Sequence, residues 1–141
     1  MLVHASCVAV EGHAVLLRGP SGSGKSDLAL RLIDNGAALI ADDQVILETA
    51  EGAEGAVSLM ASAPTALSGL LEVRGIGIVT CVAATSAPVR LVIDLDASAV
   101  IERMPREETC ALLGIDLPCL TLNPFEASAT AKVRVALDMS R

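Results

Sequence analysis

GPSGSGKS, residues 19–26, fits the pattern G-x-x-x-x-G-K-[S/T] of a phosphate-binding loop. The continuous apolar run AVLL at 14–17 precedes it and predicts a strand buried on both faces. Residues 25–35 carry apolar side chains at helical spacing, and Gly36 follows where a C-terminal helix glycine belongs. The stretch therefore predicts a strand–loop–helix unit at the heart of an α/β fold.

Such a loop binds phosphate because successive backbone N–H groups point inward and the helix N-terminus adds positive potential. Its glycines permit a close backbone approach, its lysine reaches the β- and γ-phosphates, and its final serine can ligate Mg²⁺. A chance Gly/Ser loop is the alternative, and the complete match in its strand–helix context disfavours it. The predicted nucleotide-binding residues are Gly19, Pro20, Ser21, Gly22, Ser23, Gly24, Lys25 and Ser26.

Length and composition bound the class of protein. The 141 residues suggest one domain, 1–141, without room for a large second substrate domain. Hydrophobic residues make up 52% and charged residues 19%, which disfavours disorder. A net charge of −7 and a single aromatic residue, Phe125, argue against nucleic acid as a partner, because there is neither a basic footprint nor a stacking platform.

The cellular location is predicted from the expected absence of a signal peptide and of a membrane span. The apolar N-terminus is interrupted by Glu11 and His13 and does not resemble a signal peptide. No apolar run reaches about 18 residues, so no membrane span is expected. The cysteines show no C-x-x-C pair and suit small buried thiols in a reducing cytoplasm: Cys7, Cys81, Cys110 and Cys119.

The remaining elements follow from apolar patterning and turn residues. A loop or helical turn is predicted over 64–70 and a small-residue linker over 83–88. Residues 97–113 stay open, with a helix over 97–104 ended by Pro105 as one interpretation. A closing helix is predicted over 125–139. The predicted strands are 2–10, 14–18, 38–41, 44–49, 57–60, 89–95 and 117–122.

Asp42 and Asp43 follow the buried strand 38–41, at the end of a strand where α/β proteins place their ligands. One acid could accept a proton from an attacking hydroxyl, and the other could hold a metal ion or its waters. A solvated turn is the alternative, since Asp is common at strand ends in any case. Spacing alone leaves the two interpretations open.

Two further features are ambiguous when taken alone. His4 is a lone histidine on a predicted strand, where a structural role is the commoner one. The segment LEVRGIGIVT, residues 71–80, places Glu72 within reach of a nearby metal ion if it lies beside the phosphate loop. By pattern alone, a half-exposed strand and hairpin is the favoured interpretation.

Taken together, His4, GPSGSGKS, LIADD and LLEVRGIGI resemble the catalytic domain of the bacterial HPr kinase/phosphorylase family, over about residues 2–123. The resemblance implies an α/β P-loop domain related to phosphoenolpyruvate carboxykinase, with a mixed sheet and flanking helices. It also implies an ATP- and Mg²⁺-dependent kinase that phosphorylates a serine of HPr, a phosphocarrier protein of the sugar phosphotransferase system. Several family members also remove that phosphate with inorganic phosphate.

The resemblance assigns roles residue by residue. His4 stands at the position of the family's active-site histidine, and Lys25 contacts phosphate. The acidic pair serves as proton acceptor in phosphorylation and donor in the reverse direction, with Asp43 preferred over Asp42. Arg103 matches the catalytic arginine, and Arg106 is the alternative. The implied metal ligands are Ser26 and Glu72.

The sequence departs from the family pattern in two ways. It begins almost at His4, which predicts a short form consisting of the catalytic domain. The loop LNPFEASA, residues 122–129, has no arginine where the family has an Arg- and Pro-rich loop tied to dephosphorylation. The prediction is therefore a kinase, with phosphorylase activity in question. Family members are often hexameric, which leaves a homo-oligomer open. A non-catalytic nucleotide-sensing module and a small-molecule kinase are the alternative functions.

Overall fold

A mixed β-sheet and two helices make up the computed structural model, which describes residues 1–140. Over that range the chain forms a nine-stranded sheet, a two-stranded hairpin and two α-helices. The elements are β1 (Leu2–Val3), β2 (Ala5–Val10), β3 (His13–Arg18), α1 (Lys25–Asp34), β4 (Ala38–Ala41), β5 (Val45–Glu51), β6 (Val57–Ser62), β7 (Leu70–Val73), β8 (Gly77–Thr80), β9 (Ser86–Leu95), β10 (Glu108–Leu112), β11 (Ile115–Leu122) and α2 (Ala129–Met139).

The central strands bring several chain ends to one edge of the sheet. The strand order is β1-β5-β6-β9-β3-β2-β4, and β11 pairs with β9. β3 and β11 both run parallel to β9, with Arg18 opposite Asp94 and Leu122 opposite Leu95. β4 also runs parallel to β3, because both pair antiparallel with the intervening strand β2. The C-terminal ends of these strands therefore meet at the edge where the phosphate loop begins.

Both faces of the central strands are covered, which explains the continuous apolar run in β3. Val15 and Leu17 pack with the helix residues Leu28 and Val133 in one cluster. Alternate residues such as Leu16 pack into a second cluster with β5 and β6. Full burial of a leucine side chain contributes about 1.5–3 kcal/mol, so each face is a substantial source of stability.

Helix α1 begins and ends as its sequence predicts. Gly24 precedes it with φ 97°, and the helix runs from Lys25 to Asp34. At its end Gly36, with φ 102°, donates from its N–H to the Ile33 carbonyl. A positive φ costs glycine no strain, so the chain can reverse there into β4.

The structure corrects the prediction in several places, and the predicted strand 2–10 is interrupted at His4 and forms β1 and β2. Residues 97–104 form no helix: they are largely exposed, with Val100 96% exposed, and so short an isolated helix lacks a packed face to stabilise it. β9 begins at Ser86, so part of the predicted linker 83–88 is strand, paired with β6. The strand β10 was not predicted, and α2 begins at Ala129 instead of residue 125.

Neither helix of the described chain is long and apolar enough to cross a membrane. The longer one, α2, has 11 residues.

Candidate functional site

The loop 19–24 joins the end of β3 to the start of α1 and packs tightly against β9. A Cβ atom on Gly19 would lie 2.5 Å from the Ser23 Oγ and 3.2 Å from the Leu95 carbonyl oxygen. The Ser23 N–H donates to the Pro20 carbonyl at 3.0 Å and closes a turn. The loop geometry therefore excludes a side chain at Gly19, and the predicted strand–loop–helix context is confirmed.

Lys25, the first residue of α1, is folded back onto this loop. Its Nζ donates to the Gly19 carbonyl at 2.7 Å and to the Pro20 carbonyl at 3.0 Å, and the residue is only 6% exposed. A buried ammonium bonded to carbonyls places a positive charge against the loop backbone. This charge would attract an anionic ligand bound in the loop.

Asp42 connects three separate elements at the edge of the sheet. Its Oδ1 accepts from the Ser26 hydroxyl at 2.7 Å and from the Ser6 hydroxyl at 2.9 Å. Its Oδ2 accepts from the Glu72 backbone N–H at 3.3 Å. This carboxylate is therefore held between β2, the start of α1 and β7, directly beside the phosphate loop.

Asp43 has different surroundings and pairs with His4. The His4 Nδ1 lies 3.1 Å from the Asp43 Oδ1, and the two side chains are 51% and 62% exposed. The strand register brings the two residues together, because Cys7 lies opposite Ala41 and Val3 lies opposite Val45. His4, between β1 and β2, therefore faces Asp43, between β4 and β5. Asp43 has φ 67°, a left-handed conformation that Asp tolerates better than most residues and that often marks functional sites.

A cavity of about 520 Å³ lies beside the phosphate loop, and His4 is not among the residues that line it. Five of the eight predicted loop residues line it, together with Asp42, Asp43 and Glu72. Gly19, Pro20 and Ser23 do not; Pro20 and Ser23 instead line a cavity of about 340 Å³ on the β9 side of the loop. The lining loop residues are Ser21, Gly22, Gly24, Lys25 and Ser26.

The oxygen atoms in the larger cavity suit a hard divalent cation. Across residues 1–140, no three His, Cys, Asp or Glu side chains are grouped closely enough to hold a metal ion by themselves. Mg²⁺ does not need such a cage, because it commonly uses one or two carboxylates together with water and substrate phosphates. The Ser26 hydroxyl and the carboxylates of Asp42 and Glu72 provide that kind of donor set.

The structure leaves the predicted arginine outside this group and brings in others. Arg103 and Arg106 lie in the exposed segment between β9 and β10, and neither is among the residues that line the cavity. Arg74 does line it, as do Leu30 and Phe125. Sequence reasoning did not assign these three; the signal for Phe125 was its being the sole aromatic residue of the chain.

A second ion pair supports the base of the loop. Arg18, the last residue of β3, donates from Nε to the Asp94 Oδ1 at 2.8 Å and from a terminal nitrogen to Oδ2 at 3.0 Å. The hydrogen bond to Asp94 raises the pKa of Arg18. The Cys119 Sγ also contacts Asp94 Oδ2 at 3.4 Å, and burial followed by this contact raises the pKa of Cys119 to about 12. Cys119 therefore stays a thiol at neutral pH.

Comparison with solved structures identifies the fold. The HPr(Ser) kinase/phosphatase from Coxiella burnetii matches with a TM-score of 0.82 at 24% sequence identity, covering 99% of this chain and 95% of that chain. Likeness at this identity shows the fold alone. The fold is a mixed α/β arrangement with a curled sheet and few helices.

Sequence comparisons identify the family. The HPr kinase/phosphorylase of Geobacillus thermodenitrificans is 38% identical over 131 residues, which are 85% of this chain and 41% of that protein. That of Clostridium tetani is 38% identical over 117 residues, 81% of this chain and 36% of that protein. The chain thus spans about two fifths of the length of these relatives. A family model described as "HPr Serine kinase C-terminal domain" matches residues 1–136. This chain therefore belongs to the HPr serine kinase C-terminal domain family.

Proposed function

We propose that this chain is an ATP- and Mg²⁺-dependent kinase of the cytoplasm that phosphorylates a serine of HPr or of an HPr-like phosphocarrier. The observation that carries the proposal is one cavity in which a glycine-rich loop and its lysine meet two carboxylates in different surroundings. The names of the relatives, HPr kinase/phosphorylase, supply the reaction and the acceptor protein.

In this proposal the loop 19–26 holds the phosphates through its backbone N–H groups. Lys25 exchanges its two carbonyl partners in the loop for phosphate oxygens. Ser26, Asp42 and Glu72 would hold Mg²⁺. When bound, the ion neutralises charge on the transferring phosphoryl group.

Asp42 and Asp43 have different roles in this proposal. Asp42 already accepts three hydrogen bonds, which fix its carboxylate beside the loop for its role at the metal ion. Asp43 is more exposed than Asp42. In the described chain, His4 is the one side chain that contacts the Asp43 carboxylate. We therefore assign to Asp43 the proton of the attacking seryl hydroxyl, and to His4 the orientation of that carboxylate.

Charge on the transferring group also calls for a guanidinium. Arg103, with Arg106 as alternative, is the assignment that the family resemblance suggests, while Arg74 already lines the cavity. Alanine variants of the three separate these assignments, because only the residue that meets the phosphoryl group will lower the transfer rate without changing nucleotide affinity.

We propose phosphorylation as the principal direction. The loop 122–129 has no arginine of its own to hold a phosphoserine or free phosphate. The nearest guanidinium contact to it comes from Arg31 of α1, which donates to the Pro124 carbonyl.

The test is incubation with labelled ATP, Mg²⁺ and HPr from the same organism, with mass spectrometry to locate the phosphate. Phosphoserine on HPr is expected, and it is lost in the Lys25→Ala and Asp43→Asn variants. ATP binding without transfer to HPr would reject the kinase and favour a nucleotide-sensing module. Transfer to a metabolite but not to HPr would favour a small-molecule kinase.

A further inference from the structure

Phe125 is a large aromatic side chain that is exposed to solvent. It is the only aromatic residue of the 141, yet it is 59% exposed and takes no part in either hydrophobic cluster. The core is built instead from Ala, Val, Leu and Ile. The ring lines a cavity and is not packed in the core, so it is available to contact a bound ligand.

The backbone around this ring is held firmly in place. The Phe125 N–H donates to the Asn123 side-chain oxygen at 3.0 Å, and the Pro124 carbonyl accepts from Arg31 of α1. A Cβ atom placed on Gly24 would lie 3.2 Å from the Phe125 ring. The ring therefore rests against the last glycine of the phosphate loop, at the N-terminus of α1.

The ring also belongs to the wall of the same cavity as the phosphate loop. Ser26 and Leu30 are four residues apart on α1, hence on one face of the helix, and both line the cavity with Phe125. Phe125 supplies an aromatic ring next to Gly24, and Ser26, Asp42 and Glu72 supply polar groups to the same cavity. A ligand with phosphates in the loop and a flat uncharged group beside α1 would match both the ring and the polar groups.

We propose that Phe125 is the stacking platform for the base of the nucleotide. This inference rests on the proposed function and adds the part of the ligand that the loop does not recognise. Stacking on an aromatic ring accepts any base, because every base has a π-face. Phe125 therefore distinguishes a nucleoside triphosphate from inorganic tripolyphosphate, and it discriminates only weakly between ATP and GTP.

The chain allows a direct spectroscopic test, because it contains no Trp and no Tyr. Phe125→Trp supplies a single fluorophore at the proposed contact. Val135→Trp is the matched control, since Val135 is also 59% exposed but lies on α2 and does not line the cavity. ATP with Mg²⁺ should quench the fluorescence of the Phe125→Trp variant, whereas tripolyphosphate with Mg²⁺ should not. Neither ligand should quench the control variant.

Affinity supplies the second readout. Base–aromatic stacking predicts a loss of about five-fold to a hundred-fold in ATP affinity for Phe125→Ala, with tripolyphosphate affinity unchanged. Two results would overturn the platform while leaving the kinase proposal intact: equal ATP affinity in Phe125→Ala and wild type, or equal quenching of the Phe125→Trp variant by both ligands. Failure of the wild-type chain to bind ATP would overturn both proposals.

Discussion

Asp42 and Asp43 are neighbours in the chain, but their carboxylates have different partners. Asp42 accepts from Ser6, Ser26 and the Glu72 N–H, whereas Asp43 meets His4. The backbone also differs at Asp43, which has φ 67°, whereas Asp42 is not among the residues with positive φ. Adjacent acids of the same type can therefore be separated by mutation.

For Asp43→Asn we expect phosphoryl transfer to HPr to fall by about 10²–10⁴, the usual contribution of a general base, with ATP affinity unchanged. For Asp42→Asn we expect weaker Mg²⁺ binding, because one proposed ligand is replaced. We also expect a loss of about 1–3 kcal/mol in the free energy of unfolding, because hydrogen bonds at the edge of the sheet are disrupted. Transfer kinetics, nucleotide titration and urea denaturation measure these effects. Identical behaviour of the two variants would contradict the division of roles.

Two glycines of the loop provide a matched pair. Gly22 has φ 81° with no atom within 4 Å of a would-be Cβ, whereas Gly24 has φ 97° with Pro124 Cγ at 3.0 Å. Gly22→Ala should lose about 1–2 kcal/mol in the free energy of unfolding, the cost of a left-handed conformation. Gly24→Ala should lose more, since the Pro124–Phe125 turn must also move. Urea denaturation measures both, and equal losses would show that the turn yields freely.

At the scale of elements, the Arg18–Asp94 pair joins β3 to β9 just below the phosphate loop. Its two hydrogen bonds give it a bidentate geometry, and its side chains are 32% and 41% exposed. The exposed Asp27–Arg31 pair on α1 is a suitable comparison, because its partners are only four residues apart on one helix.

We expect a double-mutant cycle on Arg18 and Asp94 to show a coupling free energy of about 1 kcal/mol, near the upper end for partly exposed pairs. The Asp27–Arg31 cycle should give about 0.3–0.5 kcal/mol, as in other helix pairs. Urea denaturation of the single and double alanine variants provides the four values for each cycle. Equal coupling would mean that the bidentate geometry adds nothing to the β3–β9 contact.

At the scale of the whole molecule, stability should depend on alkaline pH through a buried thiol. Cys7 is fully buried, and burial raises the pKa of its thiol far above the ordinary value of 9.0. Above pH 9 the unfolded chain releases this proton while the folded chain keeps it. Folded stability is therefore fully present below pH 9 and falls as pH rises beyond it, by about 1.4 kcal/mol per pH unit for this group.

Urea denaturation between pH 8 and pH 10.5 measures this slope. The chain has no tyrosine, but Cys119, with its pKa raised to about 12, contributes a similar slope in that range. Cys7→Ala should reduce the slope and leave the share of Cys119, since alanine suits the small buried site and carries no proton. A slope that is unchanged in Cys7→Ala would assign the effect to other groups.

The site could be predicted from the sequence only in part. The phosphate loop and the acidic pair were recognisable, and their proximity followed from the end of β4, although β2 separates β4 from β3. Arg74 was visible in its motif, but its place in the cavity was not. The segment 97–113 was left open, and the helix considered over 97–104 does not form, because a short stretch of sequence cannot show whether a surface exists for a helix to pack on.

The sequence by itself determined the strand–loop–helix unit and the family, because apolar period, glycine positions and motif residues are local properties of short stretches. The tertiary structure alone decided that Asp42 joins Ser6 to Ser26, that His4 meets Asp43, and that Phe125 lies against Gly24. These partners lie far apart in the chain, and strand order and register bring them together. Register depends on how whole strands pack against both layers of the core, which no short stretch of sequence encodes.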